Sequence, residues 1–344
     1  MRTPRINIFC SPARCHISLA LLGLCAGCAG LDLQLHNASV QKPSNVALYF
    51  AVETSDGQPV GGLQAESFQI YEDDQLISPF ESKQTILNPE VAVEHFTLLL
   101  LDLSGSITES GSMHTLMAAA GGFAEKITRT HKMAVYGFDG STQLTPVVGF
   151  TSSPGAVTSG LAAVAARKSK DPSTNLNGAV VEAIKVLEQA LSRSQKALRF
   201  GTLIVFTDGT DRAYRVTEEE MHKALDEANL NVFAIGLGVE ISQGQLARLG
   251  RHGFVKADQE GNIGAAFDQV AARIDAASLK FYLLSYCSPS RAGKHQLRVK
   301  AASQGNSGSL SYEFDAAGFG PNCDPNRKPN FPIGHITFSK APKQ

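Results

Sequence analysis

The leucine run 98–101 ends in Asp102, and Ser104 and Ser106 follow at alternate positions. A carboxylate and two hydroxyls at i, i+2 and i+4 can cap a helix, act as nucleophiles or hold a metal ion. Two more oxygen-bearing side chains stand at comparable points. Thr174 lies just before a helical period that begins near Leu176, and Asp208 ends the apolar run TLIVFTD. None of the five supplies sulfur or imidazole. Hard oxygen donors with only two carboxylates suit Mg²⁺, with Mn²⁺ or Ca²⁺ as alternatives. Two carboxylates formally balance a divalent ion and leave it electrophilic toward an anionic ligand. Helix capping before Met113 is the bland alternative for the serines, a task Ser110 or Ser112 would serve equally well, and it leaves Thr174 and Asp208 without a role.

The elements that must position these oxygens are legible in the apolar periods. FTLLLLDL (96–103) reads as a strand buried on both faces, because its hydrophobicity is unbroken. Met113, Leu116, Ala120, Phe123 and Ile127 share one helical face. MAVYGF (133–138) is the next strand, and Pro146 marks LTPVVGF (144–150) as an edge. A long helix starts near Leu176, and TLIVFTD (202–208) is a second buried strand. Thr217 with Glu220 forms a capping box. NVFAIGL (231–237) and GFVKAD (253–258) are further strands, before a helix over 262–277. This alternation predicts an α/β fold over 96–277, a doubly wound and mostly parallel sheet. Ligands bind such sheets at the carboxyl ends of the strands, where Asp102 and Asp208 fall.

The flanks have a different rhythm. Residues 28–45 read as a polar linker, and 46–95 as short strands and turns. Strand character returns over 278–317, and 318–344 reads as an irregular tail rich in Gly, Pro and Asn.

The chain has 344 residues, of which 43% are hydrophobic and 18% charged, as in a globular protein of about two domains. A net charge of −1 gives no electrostatic basis for nucleic-acid binding. Arg2, Arg5 and Arg14 precede the apolar stretch ISLALLGLCAGCAG (17–30), the pattern of a secretory signal over 1–27. LCAGC resembles a bacterial lipobox with Cys28 as the lipidated residue, although Cys25 stands where leucine is usual. Ordinary cleavage nearby is the alternative. The expectation is an exported bacterial envelope protein, anchored by lipid at the outer membrane or on the periplasmic side. Four of the six cysteines lie in this leader or at its edge, which leaves Cys287 and Cys323 in the body of the chain. In an oxidising compartment they most simply form one disulfide, and two free thiols are the alternative.

Asp102, Ser104 and Ser106 spell DxSxS, and this chain resembles the von Willebrand factor A domains there. STNLNGAVVEAI (173–184) is similar to the loop bearing that family's threonine, here Thr174, and TLIVFTDGTD (202–211) to the strand and turn bearing its second aspartate, here Asp208. The resemblance implies a metal-ion-dependent adhesion site at Asp102, Ser104, Ser106, Thr174 and Asp208, completed by a carboxylate from a protein partner. VETSDGQPVGGLQAESFQIYEDDQ (52–75) and YLLSYCSP (282–289) resemble the flanks of the bacterial VWFA-related group, which implies one β-sandwich with the A domain inserted. The function implied is non-enzymatic protein binding. The alternatives are an envelope assembly factor using the same site and, less well supported, a metal-dependent hydrolase. Against the hydrolase, the nine histidines show no HExxH pairing, and Ser104 and Ser106 have no evident base.

Overall fold

The computed structural model describes residues 30–331 apart from 88–92, 110, 166–168 and 197. The leader with Cys28 therefore lies outside the described residues. In chain order the elements begin with β1 (Leu31–Gln41), β2 (Asn45–Thr54), β3 (Phe68–Glu72), β4 (Gln75–Leu76) and β5 (Thr85–Leu87). The α/β unit follows as β6 (Val93–Asp102), α1 (Gly105–Glu109), α2 (Met113–Ile127), β7 (Lys132–Phe138), β8 (Thr145–Thr151) and α3 (Pro154–Val164). It continues through α4 (Leu176–Arg193), β9 (Leu198–Thr207), α5 (Glu218–Glu227), β10 (Asn231–Leu237), α6 (Gln243–Leu249), β11 (Gly253–Ala257) and α7 (Ile263–Leu279). The chain closes with β12 (Phe281–Cys287), β13 (Lys294–Ser303) and β14 (Asn306–Asp315).

The central sheet has the order β11-β10-β9-β6-β7-β8, parallel except for the edge strand β8. Leu99 and Leu101 pack with α2, α3 and α7 on one face, while Leu98 and Leu100 pack with α4, α5 and α6 on the other. That double burial explains the unbroken leucine run. Chain order reverses at β6, whose neighbours are β7 and β9. Such a reversal opens a crevice at the strands' carboxyl ends.

Two four-stranded antiparallel sheets, β1-β2-β12-β5 and β14-β13-β3-β4, face each other as a sandwich. β12 pairs with β5, with Leu283 opposite Leu87, so the chain leaves the sandwich after β5 and re-enters beside it. The α/β unit is thus inserted between two neighbouring strands. The run VALYFAV in β2 follows the same logic as the leucines. Val46, Leu48, Phe50 and Val52 fill the sandwich core. Ala47, Tyr49 and Ala51 point the other way, against Leu198 and Phe200 of the α/β unit.

Residues 31–41 are not the polar linker expected from the sequence but the edge strand β1. A bulge between Leu35 and Asn37 shifts the register there. Leu31 and Leu33 face the core before it, Val40 packs on the core after it, and the alternation changes phase within one strand. α3 and α6 also went unread. α3 starts at Pro154 after the cap Ser153, but two glycines and three β-branched residues weaken its helical signal.

Cys287 and Cys323 form a disulfide with Cα atoms 5.8 Å apart, which ties residues 318–331, without helix or strand, to the end of β12. Beneath it the buried Glu72 carboxylate accepts hydrogen bonds from Tyr286 (2.9 Å) and Ser290 (2.6 Å). Tyr286→Phe removes one donor from a buried carboxylate. The expected cost is about 2 kcal/mol in urea unfolding, with an unchanged m-value.

Candidate metal site at the carboxyl edge of the central sheet

Asp102 is the last residue of β6, and Asp208 follows the last residue of the adjacent parallel strand β9. Parallel pairing in register therefore carries both carboxylates to the same edge. Asp102 is fully buried. Its Oδ1 accepts from the Ser104 N–H (2.9 Å) and its Oδ2 from the Thr207 hydroxyl (2.7 Å). The Ser104 and Ser106 hydroxyls lie 3.2 Å apart, and Ser106 favours the charged form of Asp208. Asp102, Ser104 and Ser106 are thus linked by hydrogen bonds, with Asp208 beside them.

Thr174 is buried in the loop before α4. Its carbonyl accepts from the N–H groups of Arg212 (2.8 Å) and Ala213 (3.0 Å), so its loop is laced to the one that follows Asp208. The Gly105 N–H donates to the Pro172 carbonyl (3.0 Å), which ties the serine loop to the same segment. All three loops are therefore fixed to one another by backbone hydrogen bonds. Ser112 heads α2 but makes no cap bond; its hydroxyl donates to Glu260. His114 is exposed on α2.

Two carboxylates that support these loops were not singled out as site residues. Asp139, just past β7, accepts from the N–H groups of Ser141 (2.8 Å), Lys170 (2.9 Å) and Asp171 (3.3 Å). Burial works against its charge, but these bonds and one from the Ser141 side chain hold its pKa below the ordinary value. The position had a signal: FDG ends a strand on the same edge as the other two aspartates. Asp211, in the turn after β9, bridges two loops. It accepts from the Asn177 N–H (3.0 Å) in the first turn of α4 and from the Tyr214 N–H (2.8 Å).

Burial, reinforced by the charge of Asp208, pushes the Asp102 pKa up to about 6 against the bonds from Ser104 and Thr207. Burial also raises Asp208, and Glu240 adds to that. Asp208 Oδ1 is buried without any hydrogen-bond partner. A buried carboxylate oxygen with no donor is costly unless a cation fills the position. Among the described residues no three of His, Cys, Asp or Glu converge, so an ion here would depend on two carboxylates and on hydroxyls. The donor set fits a hard divalent ion.

No family model and no curated protein matches the chain. Solved structures similar to it include a von Willebrand factor type A structure from Catenulispora acidiphila, at 10% identity and TM-score 0.45, covering 84% of this chain and 74% of that one. Manganese-loaded TRAP from Plasmodium vivax matches at 13% identity and TM-score 0.45, covering 73% of this chain and 99% of that one. Proximal thread matrix protein 1 from the mussel byssus, with a zinc-occupied MIDAS motif, matches at 15% identity and TM-score 0.45, covering 53% of this chain and 48% of that one. The chain thus spans about half the length of the mussel protein. On its own residues, the unit Val93–Leu279 brings a DxSxS loop, a threonine loop and a second aspartate to one edge of a doubly wound sheet.

Proposed function

We propose that this protein binds a protein partner through a divalent metal ion held by Asp102, Ser104, Ser106, Thr174 and Asp208. The observation that carries this reading is the unpartnered, buried Asp208 Oδ1 beside a second buried carboxylate. The chain's own donors leave that oxygen unanswered, and a cation answers it. The ion supplies an electrophilic position for a carboxylate of the partner. Mg²⁺ is the ion we favour, from the hardness of the donors. A binding role rather than catalysis is supported by the serines. Their hydroxyls bond each other, and among the described residues no hydrogen bond joins an imidazole to either.

Isothermal titration of Mg²⁺, Mn²⁺ and Ca²⁺ into metal-free protein lacking the leader tests the reading. One ion should bind the wild type, and Asp102→Ala should bind none while remaining folded by circular dichroism. Equal binding by both proteins would sink the proposal.

Export and lipid anchoring at Cys28 are part of the same proposal and rest on the leader sequence. Metabolic labelling with a radiolabelled fatty acid in a bacterial host should mark the full chain. The Cys28→Ser chain should carry no label; if it is labelled equally, the anchor is not at Cys28.

A further inference from the structure

We infer that the metal face carries a second subsite: the cleft between α4, α5 and the β10–α6 loop takes a bulky apolar side chain from the same partner segment that brings its carboxylate to the ion. This inference rests on the metal-binding reading above. The cleft has a volume of about 390 Å³ and a floor of Leu176, Met221, Ile241 and Leu249, all buried. Thr210 lies on its rim. Thr210 is two residues from Asp208, and Leu176 is two from Thr174. A chain reaches at most ~3.6 Å per residue, so the cleft begins within about 7 Å of two of the proposed ligands.

The walls decide which side chain fits. Asp211 is occupied by the N–H groups of Asn177 and Tyr214. Glu218 is occupied by Arg248 (2.8 Å) and His222 (3.3 Å). The charged wall groups are thus already paired, over an apolar floor. An incoming apolar group gains from burial there, whereas an incoming charge would lose its water for no new partner.

The rim points to a protein segment as the occupant. Tyr214, on the cleft wall, is 86% exposed, and Val239, in the loop after β10, is 92% exposed. They are two of the five large hydrophobics exposed among the described residues, and both stand at the edge that carries the aspartates. Tyr214 also has φ +51°, a left-handed conformation that costs a non-glycine residue about 1 kcal/mol. A strained, outward-facing aromatic beside a cleft is the anchor type enriched at interfaces. An extended segment rises about 3.3 Å per residue. The partner's apolar residue should therefore lie two to four positions from its acidic one.

The test uses the chain without its leader and a phage-displayed library of random heptapeptides, panned in Mg²⁺ and eluted with chelator. The expected consensus pairs Asp or Glu with Leu, Met or Phe two to four positions away. A synthetic consensus peptide should bind at least tenfold more weakly to Val216→Arg, which puts a charge on the cleft wall, and to Tyr214→Gly. Glycine accepts the left-handed conformation, so that variant keeps the fold. Mg²⁺ affinity should be unchanged in both. An acid-only consensus, no chelator-eluted peptide from ion-loaded protein, or equal peptide binding by the variants would overturn the subsite and leave the ion site standing. Failure of the ion site itself shows separately, as no Mg²⁺ titration in the wild type.

Discussion

Asp102→Asn is expected to make the ion-free protein more stable and, at the same time, to abolish its response to metal. In the ion-free protein a fully buried Asp102 faces the charge of Asp208. Its folded pKa of about 6 lies above the unfolded value of 3.8. The sign follows directly. The folded state binds the proton more tightly, so the ionised group destabilises at neutral pH, and stability rises as pH falls from above 6 toward 3.8. A shift of roughly two units corresponds to about 3 kcal/mol at pH 7. Asparagine removes that penalty at nearly the same volume. Thr207 can then turn its hydroxyl proton to the Gly209 carbonyl, already 3.0 Å away, and accept from the new amide. A net gain of about 1–2 kcal/mol in the presence of chelator is expected, less than the full shift because one hydrogen bond is replaced. In the wild type, an ion at a hundredfold excess over its Kd adds about 2.7 kcal/mol. Asp102→Asn should show none of that gain. Thermal unfolding of both proteins, with chelator and with Mg²⁺, gives all four values. A variant that is less stable than wild type in chelator would refute the assignment of Asp102 as a strained, cation-requiring group.

The second large effect is expected at the other end of the α/β unit. Where it meets the sandwich, His95 stacks on His131 at 4.6 Å and on Phe200 at 5.0 Å. The His131 ring nitrogen Nδ1 lies 2.7 Å from the Thr97 hydroxyl, while Nε2 is buried without a partner. Burial lowers the pKa of His95 from 6.5 to about 4. Burial and then the neighbouring His95 lower that of His131 to about 3. Burial likewise lowers His36 and His252 to about 4, with Lys280 adding to the first and Arg251 and Lys280 to the second. These groups are neutral when folded and bind protons more readily when unfolded. Their contribution is intact above pH 6.5 and is lost as pH falls toward 4. At pH 5 each of His95 and His131 should cost about 2 kcal/mol relative to pH 7. A cavity of about 680 Å³ beside them admits water, which makes that figure an upper bound. Protonation of Asp102 returns about 1 kcal/mol over the same interval in ion-free protein. From His95 and His131 set against Asp102, a net loss of about 2–3 kcal/mol between pH 7 and pH 5 is therefore expected in urea unfolding, and His36 and His252 add to it. His95→Phe keeps a flat ring in the stack and should remove close to half of what the His95–His131 pair contributes. Equal stability at the two pH values would show that these rings are not held neutral by the fold.

The sequence by itself determined the parts of this protein whose burial is complete or whose spacing is local. A short unbroken leucine run fits a strand covered on both sides, and an aspartate at its end then falls at the mouth of a parallel sheet, where the structure puts it. Asp102, Ser104 and Ser106 are close in sequence, so their contact needs one loop and little else. The capping box at Thr217 and Glu220 is equally local, and the structure forms it. β1 escaped because a bulge at His36 reverses the alternation that marks a strand. α3 escaped because glycines and a starting proline blur a helical period.

Tertiary structure alone decided the rest. Which oxygen lacks a donor depends on three loops meeting, and no sequence pattern shows that Asp208 Oδ1 is the one left unpaired. Asp139 and Asp211 act through backbone N–H groups, which every residue offers, so their partners carry no signature in side-chain type. The histidines at the junction lie far apart in the chain, and only the docking of the sandwich on the α/β unit removes them from water. Burial and convergence are long-range properties, and they set the charge states on which both expected results depend.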